Sequence, residues 1–447
     1  MRKKLETQTE NMVKPRSPRP TVQCVDTYCE LYRDLFIEVR AYESFKYLQL
    51  GLISDLKRKS LPAIAKAVGL ENAQGLHHFI SQSPWQAEDL ETRRLNIILS
   101  ILEGREVIVI IDETGDKKKG KKTDYVKRQY IGNLGKIESG IVSVNAYGYC
   151  EGMTFPLKFK IFKPKERLKE GDKYQTKPEL GAELVKELKE MGFNIKRVLA
   201  DSLYGESDSN FISVVGELGI EYAVAIRSNH GVWLPSGQKV RSNKWRAFQD
   251  IRWDGKEEAR YIREIIYGKR RTIQYWQITT DKETVPNDST WFVMTKIPNL
   301  KYKEVGAIYK IRAYVEQGFR NSKNELGWAD FRLTKYTNIQ KWWELVMCAY
   351  LMICLHNVSF NPSVVSVPDS YQEHPLWDLR KGWKNALNNL QLILQPFISF
   401  NLILRWLKVF PIPQLSLGFP RLIAKINGFD CLRYLVYCWD EFYCSSA

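Results

Sequence analysis

The chain has 447 residues, with 67 Lys+Arg against 51 Asp+Glu and a formal net charge of +16. Apolar residues make up 44% and aromatics 12%, which supports a packed core and argues against wholesale disorder. The charge surplus favours a polyanionic partner, nucleic acid before an anionic membrane surface, without saying whether it is cut, carried or held. The N-terminus, MRKKLETQTENMVKPRSPRP, lacks the apolar centre of a signal peptide. The longest clean apolar run, 345–355, falls short of the about 20 residues that span a bilayer. The apolar stretch from Leu392 is broken by Gln395, Pro396 and Asn401. Eight cysteines without a CxxC pair and five unclustered histidines speak against a disulfide framework or a structural zinc. These features predict a basic cytoplasmic protein, associated with the nucleoid and without a membrane partner.

Along the chain, residues 1–20 carry six Lys/Arg, two Glu and three prolines, and residues 1–30 are expected to form a flexible basic tail. Residues 31–104 have helical texture and read as a DNA-binding region. Within them SLPAIAKAVGLENAQGLHHFIS suggests a helix-turn-helix, with Ile64, Ala65 and Val68 on one apolar face and a stop at Gly69. A second helix would begin near Asn72. Such a pair also suits a small bundle that never touches DNA.

The run VIVII at 107–111 has the pattern of a strand buried on both faces. Alternating segments at 141–149 and 155–162 predict a strand pair, and 178–191 a helix opened by Pro178 and Glu179. A short strand at 197–200 ends at Asp201, a helix near 208–218 follows, and 222–226 returns as a strand. This order describes an α/β fold with a mixed sheet, its catalytic domain placed at 105–226 and 290–328. Between them, 227–289 reads as a β-rich insertion, whose tryptophans Trp233, Trp245, Trp253 and Trp276 suit the core of a small β unit or stacking on an unpaired base. A strand at 291–297 precedes a long helix at 303–326, and helical texture fills 329–447, with Cys348 and Cys354 in a core helix.

Carboxylates fall at informative places. Asp112 and Asp201 each follow a strand, where ligands gather in open α/β sheets, although a turn or helix cap is the ordinary role of such a residue. Glu113 and Thr114 follow Asp112, so local sequence leaves open which neighbour faces a site. On the long helix Tyr309, Arg312, Glu316 and Lys323 share a stripe of roughly 60° at about 100° per residue. Ile308, Val315, Phe319 and Leu326 form the adjacent apolar stripe that would anchor it. Two strand-end acids and one helical acid form an oxygen donor set suited to Mg²⁺ and to phosphoryl transfer on nucleic acid. The loop 117–128 holds seven Lys/Arg and one Asp, well placed for backbone phosphates.

The spacing Tyr309-(2)-Arg312-(3)-Glu316-(6)-Lys323 reproduces the Y-(2)-R-(3)-E-(6)-K signature of bacterial insertion-sequence DDE transposases, which the chain resembles. IDETGDKKKGKKTDYVKRQYIGNLGKIESG and VLADSLYGE look like that group's blocks for its first two acids, and EQGFRNSKNELGW is similar to its third. Together these motifs cover about 110–328. The resemblance implies a ribonuclease H-like core with a β-strand insertion, flanked by helical N- and C-terminal regions. Asp112, Asp201 and Glu316 would be catalytic metal ligands for two Mg²⁺ ions, with Mn²⁺ able to substitute. Tyr309, Arg312 and Lys323 would contact DNA, joined by Lys119, Lys121, Lys122, Arg128 and Arg320. The implied activity is cut-and-paste transposition at terminal inverted repeats, by strand cleavage and transfer through a hairpin intermediate. Partners would be double-stranded DNA of the element's ends and of the target, bound by a homodimer on paired ends. A transposase-derived DNA-binding protein without catalysis is the alternative; another nuclease of the same fold would need neither the basic insertion nor the helix signature.

Overall fold

The computed structural model describes residues 16–430, apart from 119, 121, 233–240, 252–256 and 267–271, together with 432. In chain order the first helices are α1 (Gln23–Glu30), α2 (Val39–Ile53), α3 (Leu61–Ala67), α4 (Gln74–Ser81) and α5 (Ala87–Leu102). Then come β1 (Val107–Lys117), β2 (Lys127–Ile131), β3 (Lys136–Cys150), β4 (Met153–Ile161), α6 (Lys177–Glu190), β5 (Ile195–Ala200), α7 (Ser202–Gly205), α8 (Ser213–Glu217) and β6 (Glu221–Ile226). The insertion supplies β7 (Arg246–Ile251), β8 (Glu257–Glu264) and β9 (Gln274–Thr279) before β10 (Trp291–Lys296), α9 (Tyr302–Lys310), α10 (Ala313–Arg320) and α11 (Tyr336–Leu355). The chain continues with α12 (Asp369–Gln372), α13 (Trp383–Val409) and α14 (Pro413–Ile426). It folds as two compact units: 1–90, 365–378 and 388–447 in one, 91–364 and 379–387 in the other.

The first unit is helical. Its N-terminal helices bury Tyr28, Tyr32, Phe45, Leu48 and Phe79, and Phe79 stacks on Trp85 with centroids 4.9 Å apart. Residues 23–30, expected in the flexible tail, are helical, because Val25, Tyr28 and Cys29 supply an apolar face that the charge count of residues 1–20 does not register. Helices α3 and α4 realise the helix pair, the second opening at Gln74, whose N–H donates to Asn72 Oδ1 at 2.9 Å. Helix α13 runs through Pro396 without ending there. Its polar residues bond within this unit, Asn401 Nδ2 to the Ala67 carbonyl and Gln391 Nε2 to the Ser54 carbonyl, each at 3.3 Å. By length and composition α13 is one helix among the described residues long and apolar enough to cross a membrane.

The second unit is built on a ten-stranded mixed sheet in the order β2-β3-β1-β5-β6-β10-β9-β8-β7, with β4 also paired to β3. Strands β1, β5 and β6 are parallel neighbours and the remaining pairings are antiparallel, the ribonuclease H-like arrangement expected. The β-strands of the insertion continue this sheet instead of making a separate layer, since β10 pairs with β6 on one edge and with β9 on the other. The expected long helix is interrupted. At Ile311 and Arg312 the bonds shorten to i→i+3, Ile311 N–H to Ile308 O at 3.2 Å and Arg312 N–H to Tyr309 O at 3.0 Å. Winding there tightens toward about three residues per turn from about 3.6, and it widens again over Asn321–Glu325, so the stripe computed for a uniform helix is only approximate. Val315 and Leu326 of the anchoring stripe are fully buried, while Ile308 and Phe319 pack half-buried against the core.

Candidate active site

The pairing of β1 places the first acid. Its parallel ladder with β5 ends at Ile111↔Ala200, while the antiparallel ladder with β3 carries on from Asp112↔Asn145 to Lys117↔Gly140. Asp112 therefore lies within β1 instead of closing it, at the point where the neighbour on one side departs. That neighbour's next residue is Asp201, which caps α7 by accepting the Leu203 N–H at 2.9 Å. Strand register thus brings the two acids side by side. Alternation along the strand sends Glu113 to the opposite face, where it meets Lys177 Nζ at 2.7 Å, so Asp112 is the residue that faces the signature helix.

Arg312 is the hub of that face. It donates to Asp112 Oδ2 at 3.0 Å and lies 3.7 Å from Glu316 Oε1, one helical turn further on. Asp112 Oδ1 accepts the Glu113 N–H at 2.8 Å. Tyr309 packs its ring near Trp291 and shares a hydrogen bond with Arg312. Helix α10 can sit this close because residue 318 is glycine: a Cβ there would lie 2.7 Å from the Tyr147 ring. Tyr147 in turn bonds Ser322 at 3.0 Å, fixing the helix beyond Glu316.

The electrostatics follow from burial. Desolvation pushes Asp112 up to about 7; Arg312 opposes the rise and the nearby Asp201 charge adds to it. Burial alone would lower Arg312, but Tyr309, Asp112, Asp201 and Glu316 outweigh it and hold the guanidinium firmly charged. Burial also raises the Tyr309 phenol. Glu316 is different: half of its side chain is exposed, against 13% for Asp112.

The donor set suits a divalent cation in its chemistry. Asp112 and Asp201 place hard oxygen donors together, and the buried Oδ1 of Asn145, opposite Asp112 in register, has no hydrogen-bond partner among the described residues. Three carboxylates are balanced by one guanidinium, a deficit of positive charge that a cation would fill. Among the described residues, no three acidic, His or Cys side chains are already gathered closely enough to hold an ion.

The remaining expected DNA contacts divide. Lys323 Nζ donates to the Gly115 carbonyl at 2.7 Å and pairs with buried Asp116 at 3.0 Å, so it fastens the helix to β1. Lys122, Arg128 and Arg320 are exposed, and Lys119 and Lys121 lie outside the described residues. Much of the basic 117–128 segment has internal partners: Lys117 with Glu138 at 3.0 Å, Lys127 with Glu166 at 2.8 Å, and Lys118 over the Phe331 ring at 3.4 Å. Part of it is strand β2, not loop. Trp233 and Trp253 lie outside the described residues, while Trp276 is core and donates to Thr295 at 3.0 Å. Sequence reasoning passed over Asn145, Lys177 and Tyr204. Tyr204, fully buried with an unpartnered hydroxyl among the described residues, lies within the electrostatic reach of Asp112, Glu113 and Asp201; its place three residues after Asp201 was the available signal.

Comparison with known proteins agrees with this geometry. Residues 37–259 match the family model described as DDE superfamily endonuclease, a span that contains Asp112 and Asp201 and stops short of Glu316. A protein of Microchaete diplosiphon, "Probable transposase for insertion sequence element IS701", is 57% identical over 351 residues, 78% of this chain and 92% of the relative. With the ribonuclease H-like sheet and its paired acids, that similarity makes the chain a member of the insertion-sequence DDE transposases.

Proposed function

We propose that this transposase moves its element by cut and paste, with Asp112, Asp201 and Glu316 as the catalytic carboxylates. The observation that carries the reading is the register that seats Asp112 beside Asp201 under an arginine shared with Glu316. These residues would hold Mg²⁺, or Mn²⁺ in its place, two ions per site, which would supply an activated attacking oxygen and charge stabilisation at the leaving oxygen. Arg312 stands in for that positive charge when DNA is absent and turns to the scissile phosphate when it arrives, helped by Tyr309. The first step is hydrolysis of one strand at the element's end, water adding to phosphorus as the 3′ oxygen leaves. The freed 3′-OH then attacks the opposite strand, closing a hairpin on the element's end and displacing the flank, before insertion into target DNA. Two ends must be joined to one target, so the working form is a homodimer on paired terminal inverted repeats.

The test is a duplex carrying the terminal repeats, incubated with purified protein and Mg²⁺. Nicked, hairpin and joined products that Asp201→Ala abolishes support the reading. Binding without cleavage under every divalent cation would instead identify a DNA-binding protein that has lost catalysis. Mixing active protein with Glu316→Ala tests the dimer, since independent monomers would show no dominant loss.

A further inference from the structure

The hairpin of β2 and β3 carries the RQYIGNLGK segment, and nothing in the site just described uses its outer face. Tyr130 and Ile137 are direct cross-strand partners and are 55% and 58% exposed, and Leu134 at the tip is 39% exposed. Cross-strand partners project to the same face, so Tyr130 and Ile137 form one apolar step, with Arg128 two residues away on that face. The opposite face is clamped. Ile131 is fully buried against Gly115 and Gly140, where an added Cβ would come within 2.9 and 2.5 Å of its side chain. Glycine at both positions lets the hairpin lie directly on β1. Gly115 is three residues beyond Asp112, about 10 Å along the strand, and its carbonyl also receives Lys323.

We infer that this hairpin is a DNA wedge: Tyr130 and Ile137 enter the duplex beside the scissile phosphate and unstack one base step, while Arg128 holds the adjoining phosphate. The inference rests on the catalytic assignment above, because it needs the cleavage point at Asp112. Charge selects the occupant. Residues 127–140 carry three Lys/Arg and one Glu, and that Glu138 is bridged by Lys117 and Lys136 at 3.0 and 3.4 Å. A second copy would bring another +16 chain against this cationic surface, whereas DNA brings the opposite charge. Apolar side chains flanked by cations on a rigid support are suited to unstacking a base step and holding it open. Rigidity matters because a flexible loop would give up in ordering what stacking returns.

The experiment uses the full chain and a terminal-repeat duplex with 2-aminopurine placed at successive positions across the cleavage junction. The intact protein should brighten the probe at one step. Tyr130→Ala with Ile137→Ala should remove that signal and slow cleavage by about tenfold or more, the scale of one lost base-stacking contact. A mismatch or abasic site at the same step, already unstacked, should restore cleavage to the variant. Arg128→Ala should instead weaken binding and reduce the salt dependence by about one counterion. An unchanged 2-aminopurine signal in the double variant, or no rescue by the pre-opened step, would overturn the inference. So would conversion of a DNA-free dimer to a monomer by the two alanines, which would give the surface to a second copy. Failure of intact protein to cleave the plain duplex would count against the catalytic reading; normal cleavage with no probe response counts against the wedge alone.

Discussion

Two arginine–carboxylate pairs in the catalytic unit have similar partners and opposite surroundings. Arg94 on α5 is sealed against Glu344 on α11, both side chains at 1% exposure or less. Its guanidinium also donates to the Pro156 and Leu157 carbonyls at 2.8 Å each, so it ties two helices to β4. Arg312 is held to Asp112 by one hydrogen bond, with Glu316 further away at 3.7 Å and half exposed. The first pair has many partners and little room to rearrange. The second has surplus acid, an open side and an arginine able to change partners. A buried pair with satisfied hydrogen bonds fixes structure, whereas one left short of positive charge is poised to take up a cation or a phosphate.

The sharpest test of this contrast separates activity from folding. Asp112→Asn, Asp201→Asn or Glu316→Gln should each lower strand cleavage by about 10³-fold or more, at least the effect of losing one strong electrostatic stabiliser, with melting temperature nearly unchanged. A comparable loss of folding would make the Arg312 group another structural clamp. Glu344→Ala should do the reverse, costing about 3–5 kcal/mol of stability in denaturant titration because Arg94 is left buried and charged. Replacing both partners, Arg94→Met with Glu344→Leu, should recover most of that loss; no recovery would give the pair a role beyond packing.

Metal sharpens the comparison further. Mg²⁺ at about 100 times its dissociation constant should stabilise the intact protein by about 2.7 kcal/mol, and Asp112→Asn or Asp201→Asn should erase the gain. Asn145→Ala should weaken the same thermal response by about tenfold in metal concentration if its free oxygen supports the site. The smallest effect concerns Lys118. Burial against Phe331 lowers its ammonium to about 8 from 10.5. Between those values the unfolded chain binds the proton more readily, so stability should rise as pH climbs from about 8 to about 10.5. Lys118→Met should flatten that rise in melting temperature.

Much of this molecule was legible before folding because its signals are local. A β-branched run such as VIVII declares a doubly buried strand, and fixed spacing declares that Arg312 and Glu316 share a helical face. The strand containing Asp112 was misjudged in length because its continuation depends on β3, a partner that local pattern cannot supply. The hairpin strand β2 was hidden inside a basic stretch, since its pairing with β3 outweighs its charged composition. The tight turn at Ile311 and Arg312 was invisible for a similar reason, as helical periodicity assumes uniform winding.

The sequence by itself determined the fold class, the basic character and the identity of the acids, because burial pattern, charge and motif spacing are written residue by residue. Tertiary structure alone decided that Asp112 faces Arg312 while Glu113 faces Lys177, that Lys323 fastens to Asp116, and that Tyr130 and Ile137 stand together in solvent. Those outcomes are set by register between strands and by how closely a helix can approach a sheet. Both depend on contacts between residues up to 200 positions apart, as in the Arg312–Asp112 bond.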